Sequence, residues 1–581
     1  MLDQVAGFTL SPQQRWQWLS PERRRGALAC AIILQGELDL DALERALHEL
    51  NQRNEILRTT FVRTEEAQFP LQVICEDVVF AKNVSHLRGL STDEQEQRID
   101  EALLQETLRR WNPEQGPSWR RLLFVLSGQL HVLVLSVSAM CGDAATLKNL
   151  FVHLGQLYHV GGLDTEELQY VECAEWQNQL LEDESDTAGR DFWRKRDFNA
   201  LPARLPFAVQ NTPGTDAVRE VFSFPIDKAD INPIKQLLSR VDASLPDFLL
   251  AVWKILLWRV TGQSSVNVAQ MFDGRRSELL QNVPGPLAKW IPVSNSFVDG
   301  MRFEEVLKEV HQSTAAAADW QEYFIAGPDA DLSQAFSSDR QPENQLAGDL
   351  TLSFSKLRSS ADQFKLKCVC IEAGGALTVE LHYDSSVHAR DYLACLAEQF
   401  KTMLADAAAH PEARIGDLKL LSPREQARLV VGFNQTGTKE FDERCFHARF
   451  EAQAERTPNH IAVIFENEEL TYAELNTRAN RLAHELHRIG AAPEVVAGIY
   501  LKRSADMLIA VLGIAKAGAA YLPLDHSYPR ERLAFMLKDA GVRIVVTQQQ
   551  FASELPDHDA EVICLDDEER LSAQRFENPA V

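Results

Sequence analysis

Residues 130–158 read LHVLVLSVSAMCGDAATLKNLFVHLGQLY. The first ten, Leu130 to Ala139, carry Val and Leu on both alternating faces, the pattern of a strand covered on both sides. From Ala144 the period changes. Leu147, Leu150, Phe151, Leu154 and Leu157 fall three and four apart and form one apolar stripe of a helix. Asp143 stands just before that helix, where a carboxylate caps the first N–H groups. Gly161-Gly162 is expected to stop it. A buried strand, a short turn and an amphipathic helix predict a mixed α/β fold with residues 138–144 held at the strand–helix junction.

The same periodicities organise the rest. Residues 38–50 (LDLDALERALHEL) predict an amphipathic helix. Residues 185–219 are polar and interrupted by Pro, which marks a lobe boundary. A second α+β unit begins near Val221. Its most apolar helix is 246–260 (PDFLLAVWKILLWRV), two or three strands alternate through 351–384, and 387–405 is helical again. Residues 409–445 look like a linker. The expected domains are an N-lobe at 1–180, a C-lobe at 181–425, a linker at 426–445 and a further unit at 446–581.

Composition narrows the function. The 581 residues are 45% hydrophobic and 25% charged, ordinary for a globular protein. The formal net charge of -25 is spread along the chain. That argues against nucleic acid and against anionic membranes, which select clustered Lys and Arg. The nine Cys show no metal-binding spacing, so no metal site is expected and free thiols in a reducing compartment are. No signal peptide or long apolar run is visible, and a cytoplasmic location is expected.

Four short segments, in order, resemble the core motifs of the condensation domains of nonribosomal peptide synthetases. They are LSPQQRWQWL (10–19), RNEILRTTF (53–61, with Asn54 where the family has His), YVECAEW (170–176) and GPLAKWIPV (285–293). Two more resemble the start of an acyl-adenylating domain, LTYAELNTRANRLA (470–483) and LGIAKAGAAYLPLDHSYPRERLAFMLKDA (512–540). Within these, Leu475, Ala479, Leu482 and Leu486 form a helix face, and Gly513 and Gly518 allow close helix–strand packing. The resemblance implies two chloramphenicol-acetyltransferase-like lobes in a V-shaped pseudo-dimer with a tunnel between them, then a partial α/β adenylation N-subdomain. The Ser/Thr/Gly-rich phosphate loop with its Lys is absent from 446–581. That portion is expected to be a truncated N-terminal part, with ATP and Mg belonging only to the complete adenylation domain.

The family signature is His-His-x-x-x-Asp-Gly, with the second His between two substrate thioesters. The aligned residues are Ser138-Ala139-Met140-Cys141-Gly142-Asp143-Ala144. The resemblance makes Ser138 and Asp143 the catalytic candidates. It makes Ala139, Cys141, Gly142, Thr146 and Ser353 candidates for the tunnel wall. Arg275 is the expected partner of Asp143, and Arg58 and Trp176 are structural candidates. Each has a plainer reading: Asp143 as a helix cap, Ser138 as a small residue, Cys141 as a buried thiol with no cation to activate it. Ser138-x4-Asp143-x2-Thr146 also has the spacing of the cyclising relatives, whose first position is Asp and last is Ser.

Three functions follow from the resemblance. The first joins an upstream acyl or peptidyl thioester to a downstream amine, with positioning in place of the His. The second is a catalytically silent scaffold that docks carrier proteins or a tailoring enzyme. The third is cyclisation or dehydration of a carrier-bound substrate. The implied partners are donor and acceptor carrier proteins, which bring their own phosphopantetheine, the rest of the adenylation domain, and an upstream module that is a peptide or polyketide synthase.

Overall fold

Gln14, Tyr170 and Arg275 lie far apart in sequence, yet all three bear on the turn after the 130–138 strand, and the fold brings them there. The computed structural model describes residues 7–63, 68–76, 83–160, 168–183, 187–196, 205–206, 219–326, 333–361, 364–436 and 444–580. It divides into two compact units, residues 1–434 and 435–581.

The strands of the first unit run in chain order as β1 (Ala27–Gln35), β2 (Thr59–Val62), β3 (Leu71–Ile74), β4 (Val84–His86), β5 (Trp119–Val125), β6 (Leu130–Ser138) and β7 (Arg219–Ile226). There follow β8 (Ser265–Phe272), β9 (Lys289–Ser296), β10 (Gln334–Arg340), β11 (Gln345–Ala347), β12 (Leu350–Ser359), β13 (Leu366–Ala373) and β14 (Ala376–Asp384). They build two six-stranded sheets, ordered β11-β12-β1-β6-β5-β4 and β7-β14-β13-β10-β8-β9.

The first order contains a crossover between the two expected lobes. β11 and β12 lie in the 181–425 segment, yet they complete the N-lobe sheet. β12 runs antiparallel to β1 from Leu28↔Ser359 to Gln35↔Thr351, with a bulge between Ala31 and Ile32. Alternation identified 351–384 as strands, but it carries no information on which sheet a strand joins. The β1–β12 ladder therefore ties the 181–425 segment to the sheet of the N-lobe.

β6 is antiparallel to both β1 and β5, and its residues from His131 to Ser138 are buried. One face meets the helices Leu40–Arg53 and Ala144–Val160, where Leu147, Leu150, Phe151 and Leu154 are wholly buried. Val132 and Val134 pack on the other side with Leu103 of the helix Thr92–Leu108. Gly161-Gly162 and most of the 185–219 boundary lie outside the described residues.

The C-lobe core is the helix Leu245–Thr261, buried without a break from Asp247 to Leu257. Ser244 and Asp247 cap it reciprocally, and Gly262 at φ +68 ends it. Such all-round burial requires packing on every side, supplied here by the sheet and by the helices Phe303–Asp319 and Arg390–Ala409.

The second unit holds a parallel four-stranded sheet, ordered Ala520–Pro523, Val496–Ile499, Ile544–Thr547, Glu561–Cys564. Leu475, Ala479, Leu482 and Leu486 are buried in its core. A Cβ on Gly513 would sit 2.6 Å from Leu482, so the helices Tyr472–Arg488 and Ala505–Lys516 touch there. Gly518, at φ +71, turns the chain just after the second of these helices.

Candidate functional site

A cavity of about 900 Å³ lies between the two lobes of the first unit, walled by residues of both sheets, including Leu28 and Phe354 from one and Val221 and Val369 from the other. The turn after β6 forms part of the wall.

That turn is over-determined by backbone bonds. Ala139 N–H donates to the Gly26 carbonyl at 2.9 Å, and Cys141 and Gly142 N–H both donate to the Ser138 carbonyl at 2.8 and 3.0 Å. Gln14 Nε2 donates to the Met140 carbonyl at 3.0 Å and to Gln72 Oε1 at 2.9 Å. The neighbouring Ser11 hydroxyl is 2.6 Å from the Tyr170 hydroxyl, which also donates to the Pro286 carbonyl at 3.2 Å. Three of the four quoted motifs thus meet around the turn. In the remaining one, Asn54 bonds the Leu50 carbonyl at 2.7 Å and Arg58 bonds the Cys75 carbonyl at 3.0 Å.

Behind the turn lies a buried lock between the lobes. Arg275 Nη1 and Nη2 donate to Asp143 Oδ2 and Oδ1 at 2.9 and 3.1 Å. Leu287 and Ala288 N–H donate to Oδ2 at 3.0 and 2.9 Å, and Thr146 donates N–H and Oγ1–H to Oδ1, both at 2.8 Å. Arg275 also bonds the carbonyls of Val283, Gly285 and Asp273. Burial alone would raise the Asp143 pKa, but Arg275 and these hydrogen bonds reverse it and hold the carboxyl below its usual value. With both oxygens taken, Asp143 joins the helix start to the 283–288 loop and has no lone pair left over for proton chemistry.

The candidate residues separate accordingly. Ala139, Gly142 and Asp143 are on the cavity wall; Ser138, Cys141, Thr146 and Ser353 are not. Ser138 Oγ instead accepts the Met140 N–H at 3.3 Å. Cys141 is fully buried, and burial pushes its thiol up to about 12, which removes it as a nucleophile. Trp176 is 43% exposed and so is not a core packing residue. Its position on the outer side of the helix Tyr170–Glu182 explains this, because Tyr170, Val171, Cys173 and Ala174 take the inner side. His131 and His153 are buried off the wall, and burial favours the neutral ring in both. Sequence reasoning missed Lys367, His382 and Trp290, which line the C-lobe side. The only available signal was their place on alternating strands.

Residues 446–581 hold no Ser/Thr/Gly-rich loop with a Lys of the kind that cradles a triphosphate. Among the described residues no helix is long and apolar enough to cross a membrane.

Comparison with known proteins agrees with this geometry. The family model described as Condensation domain matches residues 7–326 and 329–430, and that described as AMP-binding enzyme matches 450–580. Chondramide synthase cmdD of Chondromyces crocatus is 30% identical over 570 residues, covering 94% of this chain but only 14% of that protein's length. The fold is shared with holo-AB3403, a four-domain nonribosomal peptide synthetase bound to AMP and glycine, at TM-score 0.77 and 19% identity over 98% of this chain and 46% of that one. It is also shared with the X-domain solved in complex with OxyB from teicoplanin biosynthesis, at TM-score 0.60 and 22% identity over 73% of this chain and 98% of that one. Because the first match spans most of the chain, this protein belongs to the condensation-domain family of nonribosomal peptide synthetases, with a portion of an AMP-binding enzyme behind that domain.

Proposed function

We propose that the chain joins a carrier-bound acyl or peptidyl thioester to the amine of a second carrier-bound group. The observation that carries this is the pairing of an open interlobe cavity with an intact Asp143–Arg275 lock, although both motif histidines are gone. In this step the amine nitrogen attacks the thioester carbonyl carbon. A C–N bond forms, the C–S bond breaks, and the proton lost by nitrogen ends on the departing pantetheine thiol. Ala139 offers only a methyl to the cavity, so acceleration comes from holding two reactants together. Positioning of this kind is worth up to about 7–11 kcal/mol, whereas general base help is worth about 10²–10⁴ in rate.

A docking platform is the second reading, favoured by the Ser138-Ala139 replacement and compatible with the fold shared with an X-domain. Cyclisation has less support, because Asp143 and Thr146 of the Ser138-x4-Asp143-x2-Thr146 spacing are bonded to each other and to Arg275. Loading donor and acceptor carrier proteins and following transfer by intact-protein mass spectrometry tests all three. A mass gain on the acceptor above the no-enzyme rate supports condensation, and a further loss of water supports cyclisation. Carrier binding without transfer for any pair sinks the lead reading.

A further inference from the structure

The helix Pro12–Trp18 is seated on the turn after β6. Its Gln14 donates to the Met140 carbonyl at 3.0 Å, and its Gln13 Nε2 donates to the Leu287 carbonyl at 3.4 Å. Ser11 and Gln14 cap it reciprocally, and Gln14 and Trp18 are buried. Gln13, Trp16 and Gln17 fall three and four apart and lie on the same cavity wall as Ala139 and Gly142.

These three side chains are left short of hydrogen bonds. Gln13 Oε1, Gln17 Oε1 and Trp16 Nε1 are shielded from solvent, and none has a partner among the described residues. Gln13 is only 8% exposed. Buried polar atoms are normally paired, because one left alone forfeits the bond it made to water. Here two acceptors and one donor share a single helical turn and a single cavity. The Leu287 carbonyl takes an N–H of Gln13, which orients that amide and leaves its oxygen over. The Arg23 guanidinium stands 4.0 Å from the Trp16 ring centroid and steadies the indole.

Two acceptors and one donor have a definite complement. A carboxylate would set its oxygens against the two Gln oxygens, and an ammonium offers nothing to the indole N–H. A primary carboxamide offers two N–H donors and one carbonyl acceptor. Positions three and four apart on a helix are close enough for one such group to reach all three, and the terminal torsion of a Gln amide is soft enough to turn its oxygen towards a ligand.

We infer that this helix face selects a carried acyl or aminoacyl group ending in a primary carboxamide, whose N–H groups are accepted by Gln13 and Gln17 and whose carbonyl accepts from Trp16. This deepens the reading of the cavity as the place where carrier-bound groups meet, and rests on it. The pantetheine arm is a second source of amide chemistry, although its amides are secondary and bring one N–H each.

The test uses four hydrolysis-resistant thioether analogues of substrate-loaded pantetheine, titrated calorimetrically into the full chain. The stem ends in a carboxamide or in the similarly shaped methyl ketone. Each is built on the ordinary arm and on an arm whose amide N–H groups are replaced by CH2. The expected result is that carboxamide binds about tenfold tighter than ketone on either arm, the scale of neutral hydrogen bonds whose protein partners are otherwise left buried and unpaired. The double variant Gln13→Met/Gln17→Met should bring that ratio close to one. Trp16→Phe should weaken carboxamide and ketone alike, since both present a carbonyl to the indole. Gln17→Met alone should lower the ratio and leave the urea midpoint at or above that of the parent, because it deletes an unpaired oxygen; a structural side chain would lower the midpoint. A ratio near one in the unmodified chain, which would leave these atoms to water, overturns the inference. So does affinity that follows the arm amides alone. If the double variant does not fold, the unmodified chain and Gln17→Met still decide it. Binding of these analogues needs no transfer, so a failure of condensation in the mass assay and a failure of carboxamide selection are separate results.

Discussion

Replacing Arg275 by Met should open the interlobe lock and destabilise the first unit by about 4 kcal/mol. Removing one partner of a buried ion pair usually costs about 3–5 kcal/mol. Here Asp143 keeps four other donors, two from Thr146 and the N–H groups of Leu287 and Ala288, which argues for the lower end. The carbonyls of Val283, Gly285 and Asp273 lose a donor as well, which adds on the order of 1 kcal/mol. Urea unfolding followed by tryptophan fluorescence isolates the effect, because all ten Trp lie between Trp16 and Trp320, inside the first unit. With m near 3 kcal/mol/M, the midpoint should fall by roughly 1 M. The double variant Asp143→Leu/Arg275→Met should lose much less than the two single losses added together, since no charge is left buried. The sign with pH follows from the lowered carboxyl. The contribution of the pair is complete above the ordinary Asp pKa and is lost as pH falls through the lower folded value, so parent and variant converge in acid. A loss under 1 kcal/mol at pH 7, or additive single losses, would refute the lock.

Three other outcomes are expected. Lys254 is wholly buried, its ammonium bonded to the Val293 carbonyl at 2.8 Å and Asn295 Oδ1 at 2.5 Å, and burial lowers its pKa to about 7. The unfolded chain therefore holds more protons between about pH 7 and 10, stability of the first unit rises over that window, and Lys254→Met should flatten the rise in urea titrations at several pH values. Gly285 has φ +148, and a Cβ there would lie 2.0 Å from the Tyr170 ring. Gly285→Ala should cost about 2–3 kcal/mol by the same fluorescence assay, and a neutral result would mean that the 283–288 loop is not seated as described. At pH 8 iodoacetamide should label Cys445, which is exposed, and leave Cys141 untouched in the native protein; peptide mapping reads both.

Much of the fold was legible in the sequence because it rests on local periodicity. The stripe from Leu147 to Leu157 and the unbroken burial of 247–257 follow from spacing alone. So did the capping position of Asp143, whose oxygen accepts the Thr146 N–H. The candidate wall was only half legible. Ala139 and Gly142 are on the cavity wall, whereas Ser138 and Cys141 are not, because the turn after β6 directs successive residues to different sides and no period describes a turn; Thr146 on the following helix and Ser353 on β12 are off the wall as well.

By itself the sequence determined the kind of elements, the family and the loss of both motif histidines, since these depend on residue identity and on neighbours within a few positions. Only the tertiary structure decided that β11 and β12 complete the other lobe's sheet, that both oxygens of Asp143 are occupied, and that Lys367 stands opposite His382 on the cavity wall. The physical reason is the same in each case. Strand pairing and buried ion pairs join residues beyond the few positions that a periodic pattern spans, and the free energy that selects among such contacts comes from burial and register, which no local pattern encodes.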